Sequence, residues 1–267
     1  MSGPGAGAFD QVSALGPFFA FETHDPGSPL AEPWCPMREL TTDPGVLAAR
    51  VRALRAQLAA SGGRPAEAVE WRVAASVAHL GLVARLVSPA LAAAAILGVA
   101  LPVGLDGARW QPLPGGMFPL SLPEPPEQLP AAEPLPVAGL AARLGELLLD
   151  RPVRELAGAV RSLSVSERIL RGNAASALGG AVTVLAASPQ TTDAQAGRAR
   201  AVAALLLDHP YLRGAAGTDA GGRFRRRSCC LLYRASPRGR GALCGDCVLA
   251  APRARARRPA GGSSRVS

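Results

Sequence analysis

"LVSPALAAAAILGVALPVGL", residues 86 to 105, is a long, apolar and uncharged run, and its reading decides the fold. The run approaches the length that crosses a bilayer's hydrocarbon core. It is mostly alanine, however, and Pro89 and Pro102 interrupt it. Alanine adds little transfer energy and proline breaks the backbone ladder, so the run reads as buried helix followed by strand, not as a span. Just downstream, "VGLDGARWQP" sets Asp106-Gly107 between two extended-looking segments. Asp-Gly supplies the positive φ angles of a two-residue hairpin turn, which a membrane helix would not carry, and a β-hairpin is expected there.

Outward from this run the pattern is helical. Asp43 and Pro44 form an N-cap and first-turn proline ahead of Leu47, Val51, Leu54 and Leu58, with Arg50, Arg52, Arg55 and Gln57 as the polar face. Residues 66 to 97 read as one or two buried helices broken near Ser88-Pro89. Val153, Leu156, Val160 and Leu163 share one stripe over residues 151 to 163, and Ser164-x-x-Glu167 fits a capping box opening another helix. Nine prolines between residues 112 and 136 predict an extended connector with no continuous helix or central strand. The expected organisation is an N-terminal helical region with the hairpin (1–111), the connector (112–136), a helical domain (137–222), a cysteine segment (223–250) and a disordered Arg-rich tail (251–267). The fold class is mainly α with a small β element near residues 97 to 122.

Composition narrows the function. The chain has 267 residues, 48% of them apolar, enough for a substantial core without cross-links. All 29 basic residues are arginine. No basic stretch precedes the first apolar one, so no signal peptide is expected; a reducing cytoplasm follows, where stable disulfides are disfavoured. The net charge of +9 is local: residues 223 to 267 hold 12 Arg and one acid, whereas the first 222 residues sum to −2. An anionic partner is expected near that segment. Nucleic acid is not the expected one, because the segment offers only Phe224 and Tyr233 for stacking and matches no helix-turn-helix or RNA-binding signature. There is no G-x-G-x-x-G after a strand, no P-loop, no G-x-S-x-G and no H-E-x-x-H. His24, His79 and His209 have no metal spacing and read as structural. Asn173, inside a helical pattern, reads as a hydrogen-bonding residue, with a substrate contact as the other option.

The chemistry concentrates in "RRRSCCLLYRASPRGRGALCGDCVL", residues 225 to 249, which holds Cys229 and Cys230 side by side and Cys244-x-x-Cys247 thirteen residues on. Zinc would bind four thiolates, although structural zinc sites draw on two spaced knuckles and an adjacent pair is an awkward one. Inert thiols are not expected beside arginines that stabilise thiolates. An iron-sulfur cluster also needs four thiolates and is anionic with its ligands, which suits the arginines. Spacing alone leaves zinc and iron-sulfur open.

"RRRSCCLLYR" followed by "CGDCVL" resembles the C-terminal motif of the FhuF-like ferric-siderophore reductases, which hold a 2Fe-2S cluster. "ALGPFFA", "RVAASVAHLGLVARLVSPALAAAA", "LRGNAASALGGA" and "HPYLRGAAGTDAGGRFRRRSCC" are similar to stretches of actinobacterial members, so the likeness covers most of the chain. The resemblance implies Cys229, Cys230, Cys244 and Cys247 as ligands of a 2Fe-2S cluster, with Cys35 a bystander. It implies one-electron reduction of a ferric siderophore in the cytoplasm, with electrons from a ferredoxin or flavoprotein reductase. Transient proximity to a membrane transporter fits that role, with no transmembrane span in this chain. Arg223, Arg225, Arg226, Arg227 and Arg234 are the candidates for steering an anionic partner. The family pattern has ten residues between its cysteine pairs; the three added here fall around "ASPRGRG" and cost only ~0.2 kcal/mol of loop closure. The alternative is a non-enzymatic siderophore-binding or zinc-binding structural protein.

Overall fold

The computed structural model describes residues 6–113, 117–124, 135–235 and 243–250, and they are mainly helical with a small sheet. The chain begins with α1 (Ala6–Ser13), β1 (Glu22–His24), β2 (Cys35–Pro36) and the single turn α2 (Glu39–Thr42). In α3 (Pro44–Ala60) the Asp43 carboxylate accepts the Gly45 N–H at 2.7 Å with Pro44 in the first turn, as expected, and Leu47, Val51 and Leu54 are buried. The polar face departs from expectation at Arg50, which is only 4% exposed. Its guanidinium donates to the Leu113 carbonyl and lies over the rings of Trp110 and Phe118, a setting that accepts a buried cation.

The expected break at Ser88-Pro89 is absent: α4 (Trp71–Leu97) is a single helix with Pro89 inside it. One lost backbone bond costs about 3 kcal/mol, which burial of nearly every residue from Val83 to Ala95 offsets. The helix stops at Gly98, whose φ of 71° is the left-handed conformation of a glycine C-cap. The helix α4 and the later α7 (Glu167–Ala187) are each long and apolar enough to cross a membrane; 72% and 50% of their apolar windows are buried inside the protein.

The expected hairpin about Asp106-Gly107 is not formed. The chain turns there with Ala108 N–H donating to the Gly104 carbonyl, neither residue has positive φ, and the Asp106 carboxylate takes Arg38 at 2.6 Å. The strand that follows, β3 (Arg109–Trp110), pairs instead with β2 and with β4 (Leu120–Pro123), and β4 pairs in parallel with β1. The sheet order β1-β4-β3-β2 thus draws half its strands from residues 22 to 36 and puts an inner strand within the segment read as a connector. Pro119 and Pro123 bracket β4, leaving Leu120, Ser121 and Leu122 with N–H groups to give. Residues 114–116 and 125–134 of that segment lie outside the described residues.

The second half runs α5 (Val137–Leu144), a π-helical stretch (Gly145–Val153), α6 (Arg154–Arg161), α7 and α8 (Asp193–Leu207). Val153, Leu156 and Val160 are buried in line with the stripe, and Leu163 packs at its edge. The capping box at Ser164 is not made. Ser164 N–H closes the end of α6 on Arg161, its φ is 63°, and α7 begins at Glu167 behind Ser166. A capping box forms instead at Thr192 and Gln195, at the start of α8. The helix α4 sits at the centre, packed against α7, α8, α3 and α1. A hairpin of β5 (Ala216–Thr218) and β6 (Phe224–Arg226) then leads into the cysteine segment. The lengthened loop around "ASPRGRG" (236–242) and the Arg-rich tail (251–267) lie outside the described residues.

Candidate metal centre

The cysteine segment is carried on α7 and α4 through β6. Alternation along a strand turns Phe224 and Arg226 to one side and Arg225 to the other. A Cβ at Gly179 of α7 would stand 2.7 Å from the Phe224 ring, so only glycine admits this approach. One and a half turns earlier on α7, Arg226 donates Nη2 to Asn173 Oδ1 at 2.6 Å. Asn173 in turn donates to the Ser76 carbonyl on α4 at 2.9 Å, and Ser76 Oγ donates to the Cys230 carbonyl at 2.9 Å. Asn173 is therefore a buried structural bridge between the two central helices and the cysteine segment.

The four thiols come into one region. Cys230 and Cys244 share a hydrogen bond at 3.6 Å between their Sγ atoms, close to the separation of about 3.8 Å for two thiolates on one tetrahedral ion with bonds of about 2.3 Å. Leu231, at φ 68°, turns the chain directly after the adjacent pair, and its N–H points to Cys229 Sγ at 3.3 Å. The Leu249 N–H points to Cys247 Sγ at 3.4 Å. The C-x-x-C turn closes with Cys247 N–H on the Cys244 carbonyl, and β6 holds it: Arg226 N–H donates to the Asp246 carbonyl and Arg225 Nη1 to that of Cys247. Cys229 and Cys244 each lie within electrostatic reach of Cys247. Among the described residues, no three His, Cys, Asp or Glu side chains are close enough together to hold one metal ion as they stand.

Electrostatics in this region are lopsided. Arg226 is 1% exposed, has no carboxylate within ion-pair distance among the described residues, and leaves Nε and Nη1 without partners. The hydrogen bond shared with Cys244, then the Leu232 N–H and Arg226, bring the Cys230 thiol down to about 6 against burial, while that same bond and burial raise Cys244. Burial raises Cys229. The donor set fits an anionic thiolate-bound metal group: soft ligands, N–H groups aimed at sulfur, and a buried cation with no ion pair among the described residues.

Most of the other steering candidates are engaged. Arg223 and Arg225 pair with Asp219, whose carboxyl the Arg223 and Gly221 N–H groups hold down to about 2, and Arg234 pairs with Glu70 at 2.5 Å. Arg227 is exposed and lines a cavity of about 290 Å³ beside Cys247, together with Asp219, Arg225 and Arg226. Cys35 lies in β2 opposite Trp110, away from the cysteine segment's elements. His24 contacts Ser121, His209 faces Asp150, and His79 is buried beside Asn173 and lowered to about 3 by burial and by Arg226. Ser76, Gly179 and Asp219 were not singled out from the sequence. Only Asp219-x-Gly-Gly carried a local signal, that of a side chain closing its own turn.

No protein-family model matches the chain, and no curated protein is similar enough to be matched to it.

Proposed function

We propose that the chain binds a 2Fe-2S cluster through Cys229, Cys230, Cys244 and Cys247 and reduces ferric siderophores to release Fe(II) in the cytoplasm. The observation that carries this reading is Arg226. A buried guanidinium with no ion pair among the described residues is costly unless negative charge joins it, and a tetrathiolate metal group beside Cys229 and Cys230 would supply that charge. The adjacent Cys229-Cys230 pair is an awkward zinc knuckle, and the net negative charge of a 2Fe-2S unit with four thiolates suits the arginines beside it.

When bound, such a cluster supplies one-electron transfer. This chain's residues orient the ligands: Ser76 fixes the Cys230 carbonyl, the Leu231 and Leu249 N–H groups point at sulfur, and Arg225 holds the C-x-x-C turn. One electron from an external ferredoxin or flavoprotein reductase converts chelated Fe(III) to Fe(II), which hard oxygen ligands hold weakly, leaving the siderophore intact. The exposed Arg227 and the cavity beside Cys247 form the face for an anionic ferric complex.

The test is metal analysis of protein purified without oxygen. About two irons and two acid-labile sulfides per chain are expected, with visible absorption that is lost on Ser substitution at any of the four cysteines and kept in Cys35→Ser. A colourless protein carrying one zinc would establish the non-enzymatic alternative.

A further inference from the structure

The far side of α4 carries a second buried guanidinium. Arg85 lies nine residues beyond Ser76, about 13.5 Å along the helix axis. It is 2% exposed in the interior, yet it borders a cavity of about 430 Å³. Two of its nitrogens are committed, Nε to the Phe118 carbonyl and Nη1 to that of Pro17. Its guanidinium stands 5.6 Å from the Phe118 ring centroid, and Arg50 stands 5.2 Å from the same centroid. Two buried cations therefore share one aromatic ring, and among the described residues no carboxylate pairs with either. Arg50 Nε has no hydrogen-bond partner. Burial pushes both guanidiniums below their ordinary value, Arg85 to about 10, the sign of positive charge held without compensation.

The rest of the wall is mostly apolar, formed chiefly by Pro17, Ala20, Phe21, Met117 and Leu120, with Ser13 and Glu22 as its polar side chains. Its volume suits a small organic molecule. Glu22 also lines it, and as an exposed carboxylate it disfavours a ligand with a second negative charge. We infer that this cavity is a binding site for an organic monoanion, a carboxylate on an aromatic or compact apolar body, with the carboxylate at Arg85 and the body against Phe21, Met117 and Leu120. The site is separate from the cysteine segment and does not depend on what metal those cysteines hold.

The test is calorimetric titration of the full chain with 2-naphthoate and with its neutral isostere 2-naphthamide. A charge-assisted hydrogen bond predicts roughly tenfold or greater preference for the acid. Arg85→Gln is expected to bring acid and amide to within about twofold of each other. Ala20→Trp, which fills the cavity from the loop and leaves Arg85 in the sequence, is expected to lose binding of both while keeping the wild-type circular dichroism. Equal binding of acid and amide to the wild type, no binding of either at millimolar concentration, or unchanged naphthoate binding by folded Ala20→Trp would each overturn the assignment. The Ala20 variant keeps the test decisive if Arg85→Gln does not fold.

Discussion

At the scale of single residues, the feature with most leverage is the charge on Arg226 in its buried pocket. With no metal present that charge costs stability, and with an anionic cluster alongside it contributes attraction. Arg226→Gln keeps an amide donor for Asn173 and removes the charge. Metal-free protein is expected to hold its stability or gain about 1 kcal/mol, while the iron-loaded form loses about 1–3 kcal/mol of the stabilisation that metal adds. Urea unfolding of both forms reads the difference, and an equal shift in the two would reduce Arg226 to packing alone. His79 next to this network gives a second prediction. Its folded value is lowered to about 3 by burial and by Arg226, so below the ordinary value of 6.5 the unfolded chain binds the proton more readily. Stability is therefore complete above pH 6.5 and falls on acidification toward pH 3, by up to about 1.4 kcal/mol per pH unit from this group. Urea midpoints at pH 7 and pH 5 should differ more for the wild type than for His79→Gln; identical slopes would remove His79 from the acid response.

At the scale of elements, glycines on two adjacent helices, Gly179 on α7 and Gly197 on α8, behave oppositely. Gly197 on α8 has open space where a Cβ would go, so Gly197→Ala should gain about 0.5–1 kcal/mol of helix propensity. Gly179→Ala gains the same propensity but drives a methyl into the Phe224 ring, and since β6 carries the C-x-x-C turn, a net loss of about 1–3 kcal/mol with lower metal occupancy is expected. Thermal unfolding with iron analysis separates the two, and a silent Gly179→Ala would detach β6 from the site. This also marks what the sequence could disclose. Asp43-Pro44 and the stripe through Val153, Leu156 and Val160 were legible because capping and a 3.6-residue period are local. The helix running through Pro89 was not, because its continuity rests on burial by α7 and α8. The strands were not legible either: β2 and β3 have two residues each, too few for alternation to show, and β1 meets β4 across about a hundred residues of chain. The cysteines proposed as ligands stood out by type and spacing, whereas Ser76 and Asn173, which place Cys230, are ordinary polar residues in alanine-rich helices until the helices are packed together.

At the scale of the whole molecule, charge is segregated, and the structure redistributes the expected steering field. Of the five arginines assigned to it, Arg223 and Arg225 are paired with Asp219, Arg234 is paired with Glu70, and Arg226 is buried. Exposed paired charges contribute little at a distance, since the pair's field decays faster than a single charge's and salt screens it within about 10 Å at 0.1 M. Long-range attraction thus falls to the one net charge that Arg223 and Arg225 keep beyond Asp219, to Arg227, Arg238 and Arg240, and to the tail, where residues 251 to 267 hold Arg253, Arg255, Arg257, Arg258 and Arg265 against no acid. If the proposed reaction with an anionic ferric chelate is diffusion-steered, its rate should fall as salt rises, and removing residues 251 to 267 should flatten that dependence more than Arg223→Gln does. Arg223→Gln releases Asp219 from one partner but leaves Arg225 in place, so its effect should be within about twofold at any salt. Stopped-flow reduction of an anionic and a neutral ferric chelate between 20 and 500 mM salt, on the order of a fivefold range of Debye length, reads this directly. A salt slope for the anionic chelate that survives tail removal combined with Arg227→Gln, Arg238→Gln and Arg240→Gln would place the docking face elsewhere, whereas a slope shared by the neutral chelate would show that salt acts on the protein itself and not on the encounter.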